Sequence, residues 1–294
     1  MSDKLKQSVP GSSQLDLGFG VPKQPDRNSG KGGRSFYFFD LDDNVFHLQT
    51  PIYIYDLRTG AERAVSTGEF ARISGTMGKP GPFEHLGVNP DDRVGSFRRF
   101  RDHPNLGSED LQPFVQDMKE ALALPDFNWK GPSWECFEYA VHNERPVALI
   151  TARGHKPSTI RAGLSLLVEA GFLSREPNYL VIYPVSQPEI RLELAGGAVR
   201  RSTAELKKQA IILSVEAAMK QYGNNPHHRF GMSDDDPENL ALITDAKRIL
   251  KERYPQNSFF VIHSGTRPVL KYEIFREHTE PAEAETEMQV QFEF

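Results

Sequence analysis

Ser35-Phe36-Tyr37-Phe38-Phe39-Asp40-Leu41-Asp42-Asp43-Asn44 is the stretch on which the reading of this chain turns. Four consecutive aromatic residues with no polar alternation mark a strand buried on both faces, the habit of a mainly parallel sheet. The run then ends abruptly in three carboxylates, Asp40, Asp42 and Asp43. Carboxylates crowded at the end of a buried strand repel one another and are stabilised by solvent or by a cation. Taken alone, the same residues also suit an ordinary turn, since Asp and Asn close strands well.

Four later runs resemble the first: Val147-Ala148-Leu149-Ile150, Tyr179-Leu180-Val181-Ile182-Tyr183, Phe230-Gly231-Met232 and Phe259-Phe260-Val261-Ile262. Helical patterns separate them. Ile160, Leu164, Leu167 and Val168 recur at helical spacing between Pro157 and Ala170, with Gly171 as the stop. Ser202 or Thr203 caps a helix carrying Leu206, Ala210, Leu213 and Ala217, and Pro237 opens another with Leu240, Ile243, Ala246 and Leu250. Strands alternating with helices require crossovers, which predicts an α/β fold with a doubly wound, mainly parallel, Rossmann-like sheet.

The segment 45–133 breaks this rhythm and reads as an insertion after the first strand. Ile52 and Ile54 alternate with Tyr53 and Tyr55, Thr59-Gly60 supplies a turn and Ala64-Val65 a return, so a β-hairpin is expected. A helical segment follows near Leu111–Leu122. Residues 1–34, rich in Gly, Ser, Pro, Lys and Gln, are expected to be disordered, and residues 276–294 to form an acidic mobile tail. The core then comprises residues 35–44 and 134–275.

Two further strand ends carry chemistry. Ile150-Thr151-Ala152-Arg153-Gly154-His155 places a hydroxyl and a run of backbone N–H groups where an anion could be held, although Thr151 also suits a helix cap. Ser233-Asp234-Asp235-Asp236-Pro237 is a second acidic cluster. Open α/β sheets bind ligands beyond the carboxyl ends of their strands. Two acidic clusters converging there predict an oxygen-ligated hard-cation site, with Mg²⁺ its occupant.

The set formed by Asp40 and Asp42 after an apolar strand, Thr151 after the second strand, a lysine at the next helix start and Asp234-Asp235 after the fourth resembles the haloacid dehalogenase superfamily. The resemblance covers residues 35–44 and 146–265 and implies phosphatase-type chemistry. Asp40 is then the nucleophile that forms an aspartyl-phosphate, and Asp42 the acid and base for the leaving oxygen and the hydrolytic water. Thr151, Ala152, Arg153 and Lys207 hold phosphate oxygens. Asp40, the Asp42 carbonyl, Asp234 and Asp235 hold Mg²⁺. Lys207 and Lys208 both fit the lysine position, with Lys207 preferred because it follows Leu206 on the buried face. The insertion occupies the place of a cap over the site. Family members carry Gly-Thr or another small pair after the second aspartate, whereas this chain has Asp43-Asn44.

Composition bounds these expectations. The chain has 294 residues, 38% hydrophobic and 26% charged, with one cysteine, Cys136, and a formal net charge of −5. No apolar run suits a membrane span, no secretory leader is visible, and a lone cysteine excludes an internal disulfide or a cysteine zinc site, so a cytoplasmic setting is expected. Six glutamates and no Lys or Arg lie in 277–294, leaving the remainder near +1, which argues against a dedicated nucleic-acid binder. The partner is instead a small-molecule or other phosphorylated substrate. A phosphotransferase, or a weakly or non-catalytic module whose ends recruit partners, is the alternative reading. Trp129, Trp134 and the His227-His228 pair read as structural, and Arg98-Arg99-Arg101 as a solvated face or an anion contact in the insertion.

Overall fold

The computed structural model describes residues 22–107, 109–197, 201–266 and 268–282. The first strand, β1 (Ser35–Phe39), leads into a small inserted unit made of β2 (Ile52–Asp56), β3 (Glu62–Val65), α1 (Thr67–Ser74) and β4 (Leu86–Gly87). Three helices follow, α2 (Pro113–Leu122), α3 (Asp126–Trp129) and α4 (Trp134–His142). The chain then alternates: β5 (Pro146–Thr151), α5 (Pro157–Glu169), β6 (Asn178–Pro184), α6 (Pro188–Ala195), α7 (Thr203–Tyr222), β7 (Arg229–Asp234), α8 (Pro237–Arg253) and β8 (Ser258–His263). It closes with β9 (Leu270–Ile274) and β10 (Thr279–Pro281).

Seven strands form one sheet in the order β10-β9-β8-β7-β1-β5-β6. The five from β8 to β6 are parallel, and β9 and β10 add an antiparallel edge. This is a mixed α/β architecture compatible with a Rossmann-like fold. The chain leaves β1 for β5 and β6 on one side, then returns for β7 and β8 on the other, so the winding reverses around β1. The crevice at such a reversal is where open sheets bind ligands.

Both faces of β1 are buried, as its aromatic run requires. Phe36 and Phe38 pack with Phe230, Met232, Phe259 and Val261 beneath α7 and α8. Phe39 faces the other way, with Phe114, Phe137, Leu149, Ile160 and Leu164. No helix among the described residues is long and apolar enough to cross a membrane.

The segment boundaries differ from those the sequence suggests. The hairpin is present, with Ile52 opposite Val65 and Tyr55 opposite Glu62, and it builds a satellite core of Ile52, Ile54, Val65 and Ile73. The inserted segment does not stay together, however: Phe114, Met118 and Ala121 of α2 and Trp129 of α3 join the main core. Amphipathic spacing shows that a helix buries one face but not which core receives it.

Residues 22–34 are placed by specific contacts in place of the expected disorder. Asp26 accepts hydrogen bonds from the Ser35 amide and hydroxyl (2.9 and 2.7 Å) and pairs with Arg145 at 3.2 Å. Residues 1–21 of the expected disordered leader lie outside the described residues. So do residues 283–294 of the expected acidic tail, whereas residues 276–282 form the turn and strand that pair with β9.

Candidate active site

The site is assembled by three adjacent strand ends. Phe39 is in register with Ser233 on β7 and with Leu149 on β5, so Asp40 and Asp234 emerge side by side and Thr151 ends the neighbouring strand. Asp40 and Asp234 are only 7% and 1% exposed, unusual for carboxylates.

Lys207 completes this core. A capping box between Ser202 and Glu205 starts α7 and sets the rotation of its first turns, turning Leu206 and Lys207 toward the sheet. The Lys207 Nζ lies 3.3 Å from Asp40 Oδ2. Lys208 instead reaches Asp245 at 3.8 Å on the surface, so of the two neighbouring lysines it is Lys207 that faces Asp40.

One cation faces two buried carboxylates. Burial pushes the Asp40 carboxyl up to about 8, with Lys207 pulling down and Asp234 and Asp42 pushing up. Asp234 is raised for the same leading reason. Burial lowers Lys207, yet the attraction of Asp40 and Asp234 outweighs it and the ammonium is held charged. The cluster is short of positive charge.

Asp234 Oδ1 is satisfied by the Asp236 amide and by Asn239 Nδ2, each at 3.1 Å. Asp234 Oδ2 and Asp40 Oδ1, by contrast, are buried without a hydrogen-bond partner among the described residues. Orphaned buried carboxylate oxygens are costly. Their chemistry fits a hard divalent cation, and Mg²⁺ in particular uses one or two carboxylates and completes its shell with water and phosphate oxygens. No group of three or more His, Cys, Asp or Glu among the described residues is arranged to hold a metal ion. Asp235 is less engaged: half-buried, it is raised to about 6 by burial and by its neighbours Asp234, Asp43 and Asp236.

Asp42 is turned away from this cluster toward Arg153. Arg153 Nε donates to both Asp42 oxygens (3.1 and 2.9 Å), and Nη2 donates to Oδ1 at 2.6 Å and to Thr50 at 2.8 Å. The guanidinium is fully buried between the rings of Phe100 and Phe114, 4.8 and 4.9 Å from their centroids. Arg153, read from sequence as a substrate contact, therefore holds Asp42. The reason is local: a buried guanidinium needs a carboxylate, and Asp42 is the one within reach. Thr151 Oγ1 lies 3.5 Å from Asp42 Oδ2 and accepts from the Arg153 amide at 3.3 Å, while Ala152 is exposed beside it.

Asn44, assigned no role from sequence, is the hub. Its Nδ2 donates to the Asp40 carbonyl and to the carbonyl and hydroxyl of Ser233, and its Oδ1 accepts from Ser133 and Ser264. It ties β1 to β7, to the turn before α4 and to the end of β8. Asp43 beside it adopts φ 59°, the left-handed region that Asp tolerates better than most residues, and its carboxylate faces His47 at 3.5 Å. A side-chain amide that can donate and accept, placed just past a strand end, is the one signal that could have drawn attention to Asn44.

The basic patch is neutralised within the fold. Arg98 pairs with Glu62 and stacks on Tyr53, Arg99 pairs with Asp117, and Arg101 with Asp92. Trp129 and Trp134 pack edge to face, their centroids 4.8 Å apart. The inserted unit approaches the β5 end, where the Gly154 amide donates to the Phe100 carbonyl at 2.8 Å. No protein-family model, no curated protein and no solved structure matches this chain.

Proposed function

We propose that this chain is a Mg²⁺-dependent phosphomonoester hydrolase of the haloacid dehalogenase type, working through an aspartyl-phosphate on Asp40. The observation that carries the reading is the buried contact of Asp40 with Lys207 beside two orphaned carboxylate oxygens at the reversal point of the sheet. A nucleophile, a fixed cation and a gap suited to a second cation are the parts that phosphoryl transfer needs, because its catalysis is mostly positioning and charge stabilisation.

In the first half-reaction an Asp40 oxygen attacks phosphorus, the ester P–O bond breaks, and the leaving oxygen takes a proton from Asp42. In the second, water attacks the phosphoryl group, gives a proton to Asp42, and the Asp40–phosphorus bond breaks to release inorganic phosphate. Lys207 and Thr151 hold non-bridging oxygens. Asp40 and Asp234 would hold Mg²⁺, which supplies positive charge between the nucleophile and the phosphate. Arg153 keeps Asp42 in place, and one Asp42 oxygen must leave that grip to reach the substrate. The inserted unit over the β5 end is the candidate cap that excludes water and reads the leaving group. The lone cysteine suits a reducing, cytoplasmic setting.

Turnover of a broad phosphomonoester panel, with and without Mg²⁺, tests the reading. Asp40→Asn and Lys207→Ala should abolish it, Lys208→Ala should not, and Asp42→Asn should slow it roughly 10²–10⁴-fold. Activity that survives Asp40→Asn, or no activity on any member of the panel, overturns the proposal.

A further inference from the structure

At the end of the sheet opposite Asp40, the parallel strands β1, β5 and β6 begin side by side, and the segment before β1 lies against their starts. Between them is a cavity of about 560 Å³. The strand between Arg34, on its wall, and Asp40 holds the two sites roughly 20 Å apart. The wall is fixed in place: Asn28 Nδ2 donates to the His227 carbonyl at 2.8 Å, and a Cβ on Gly33 would lie 2.4 Å from that same oxygen. The amides of Gly32 and Gly33 are spent on the carbonyls of Ser29 and Asn28, so the donors left to the cavity are side chains.

Three arginines line this cavity with donors to spare. Arg145 is only 7% exposed; its Nη1 pairs with Asp26 at 3.2 Å and its Nη2 donates to the Gln24 carbonyl at 2.9 Å, but its Nε is buried without a partner among the described residues. Arg175 repeats the pattern, paired with Glu144 through Nη1 and with a buried, unpartnered Nε. The Arg34 guanidinium, 5.0 Å from the Tyr222 ring centroid, has no hydrogen bond or ion pair among the described residues. The nearby carboxylates are already engaged, since Asp26 also accepts from Ser35 and Glu144 also pairs with Lys23 at 2.8 Å. Unpaired buried donors are costly, and a guanidinium fork matches the oxygens of a phosphate. The cavity exceeds what one phosphate group fills and falls in the size range of small-molecule sites. Glu144 and Glu176 on its lining can accept from hydroxyls, whereas Pro146 is the only apolar side chain there among the described residues, which leaves no surface for an aromatic base.

We propose that this cavity is a second ligand site that takes a phosphorylated polyhydroxy compound of the sugar-phosphate class, its phosphate on Arg34, Arg145 and Arg175 and its hydroxyls toward Glu144 and Glu176. The inference does not depend on the proposed enzyme activity. Calorimetric titration of the full chain in Mg²⁺-free buffer with chelator, using ribose 5-phosphate, ribose and inorganic phosphate as probes, tests it. Ribose 5-phosphate should bind at one saturable site, inorganic phosphate more weakly, and ribose not at all. Arg34→Gln and Arg175→Gln should each weaken ribose 5-phosphate about tenfold, the loss of one charge-assisted hydrogen bond. Arg34→Gln is the safer of the two for folding, because it breaks no ion pair among the described residues. Lys207→Ala, at the other end of the sheet, and Lys208→Gln, on the surface, should leave the affinity unchanged. No saturable binding of ribose 5-phosphate, equal affinity in the wild type and both arginine variants, or inorganic phosphate binding as tightly as the sugar phosphate overturns the proposal. So does a tenfold loss in Lys207→Ala, which would place the anion beside Asp40 instead.

Discussion

Replacing Arg153 with methionine separates the two roles open to this residue, and the structure sets the size of the effect. The guanidinium gives three hydrogen bonds to Asp42 and one to Thr50, with no exposed surface. Methionine keeps the apolar contact with Phe100 and Phe114 but leaves the Asp42 carboxylate, 17% exposed, without its partner. Breaking a buried ion pair from one side costs about 3–5 kcal/mol; the partial exposure of Asp42 places this case near the lower end, about 3 kcal/mol. For a chain of this size that corresponds to a fall in Tm of roughly 6 °C. Asp42→Asn removes the same pair from the other side, so the double variant should be less destabilised than the sum, by about 2 kcal/mol. Guanidinium titrations of the four proteins measure this coupling. Kinetics on any phosphomonoester turned over add an independent readout: a residue that positions Asp42 lowers kcat and leaves KM nearly unchanged, whereas one that binds substrate raises KM. Additive stabilities, or a change confined to KM, would refute the positioning role.

Two further changes test packing and linkage. Gly163 lies inside α5, where Gly→Ala normally stabilises a helix by up to about 1 kcal/mol, but a Cβ there would sit 2.5 Å from the buried Phe114 ring; Gly163→Ala should therefore destabilise by about 1–3 kcal/mol, and a raised Tm would show that α2 and α5 are not in close contact. His155 is fully buried with neither ring nitrogen hydrogen-bonded among the described residues; burial, then Arg153, Arg99 and His103, lower it to about 2. Below its unfolded value of 6.5 only the unfolded chain takes up this proton, so stability is complete above that pH and falls by up to about 1.4 kcal/mol per unit as the solution is acidified. Urea melts at pH 7 and pH 5 should show His155→Phe losing about 2 kcal/mol less than the wild type, and equal losses would exclude His155 as the source.

The fold was legible where one local cause dominates. The aromatic run of β1, the cap expected at Ser202 or Thr203 and found at Ser202, and Pro157 and Pro237 at helix starts each fix their element through backbone chemistry that neighbours do not change. The long-range assignments were not legible. Leu270, Tyr272 and Ile274 alternate as a strand should, yet such a short run reveals itself only once it pairs with β8. The three arginines of the basic patch could be named but not their partners, because Glu62, Asp117 and Asp92 reach them only through the folded insertion.

The same division runs through the candidate site. Asp40 and Asp234 could be picked out because carboxylates at buried strand ends are costly and conspicuous, and the lysine only through the resemblance that they suggested. What holds them in place was hidden, since polar residues that satisfy one another leave no excess charge to notice. The small pair that the resemblance leads one to expect after Asp42 is replaced by Asp43-Asn44, and the geometry gives that replacement a purpose. Asp43 supplies the left-handed turn, and Asn44 uses donors and acceptor together to join the Asp40 carbonyl, Ser233, Ser133 and Ser264. A glycine in place of Asn44 would allow a turn but strand several of these buried groups, each at about 1–3 kcal/mol. The polar network beneath the strand ends thus fixes the spacing between Asp40 and Asp234, and that spacing decides whether one cation can serve both.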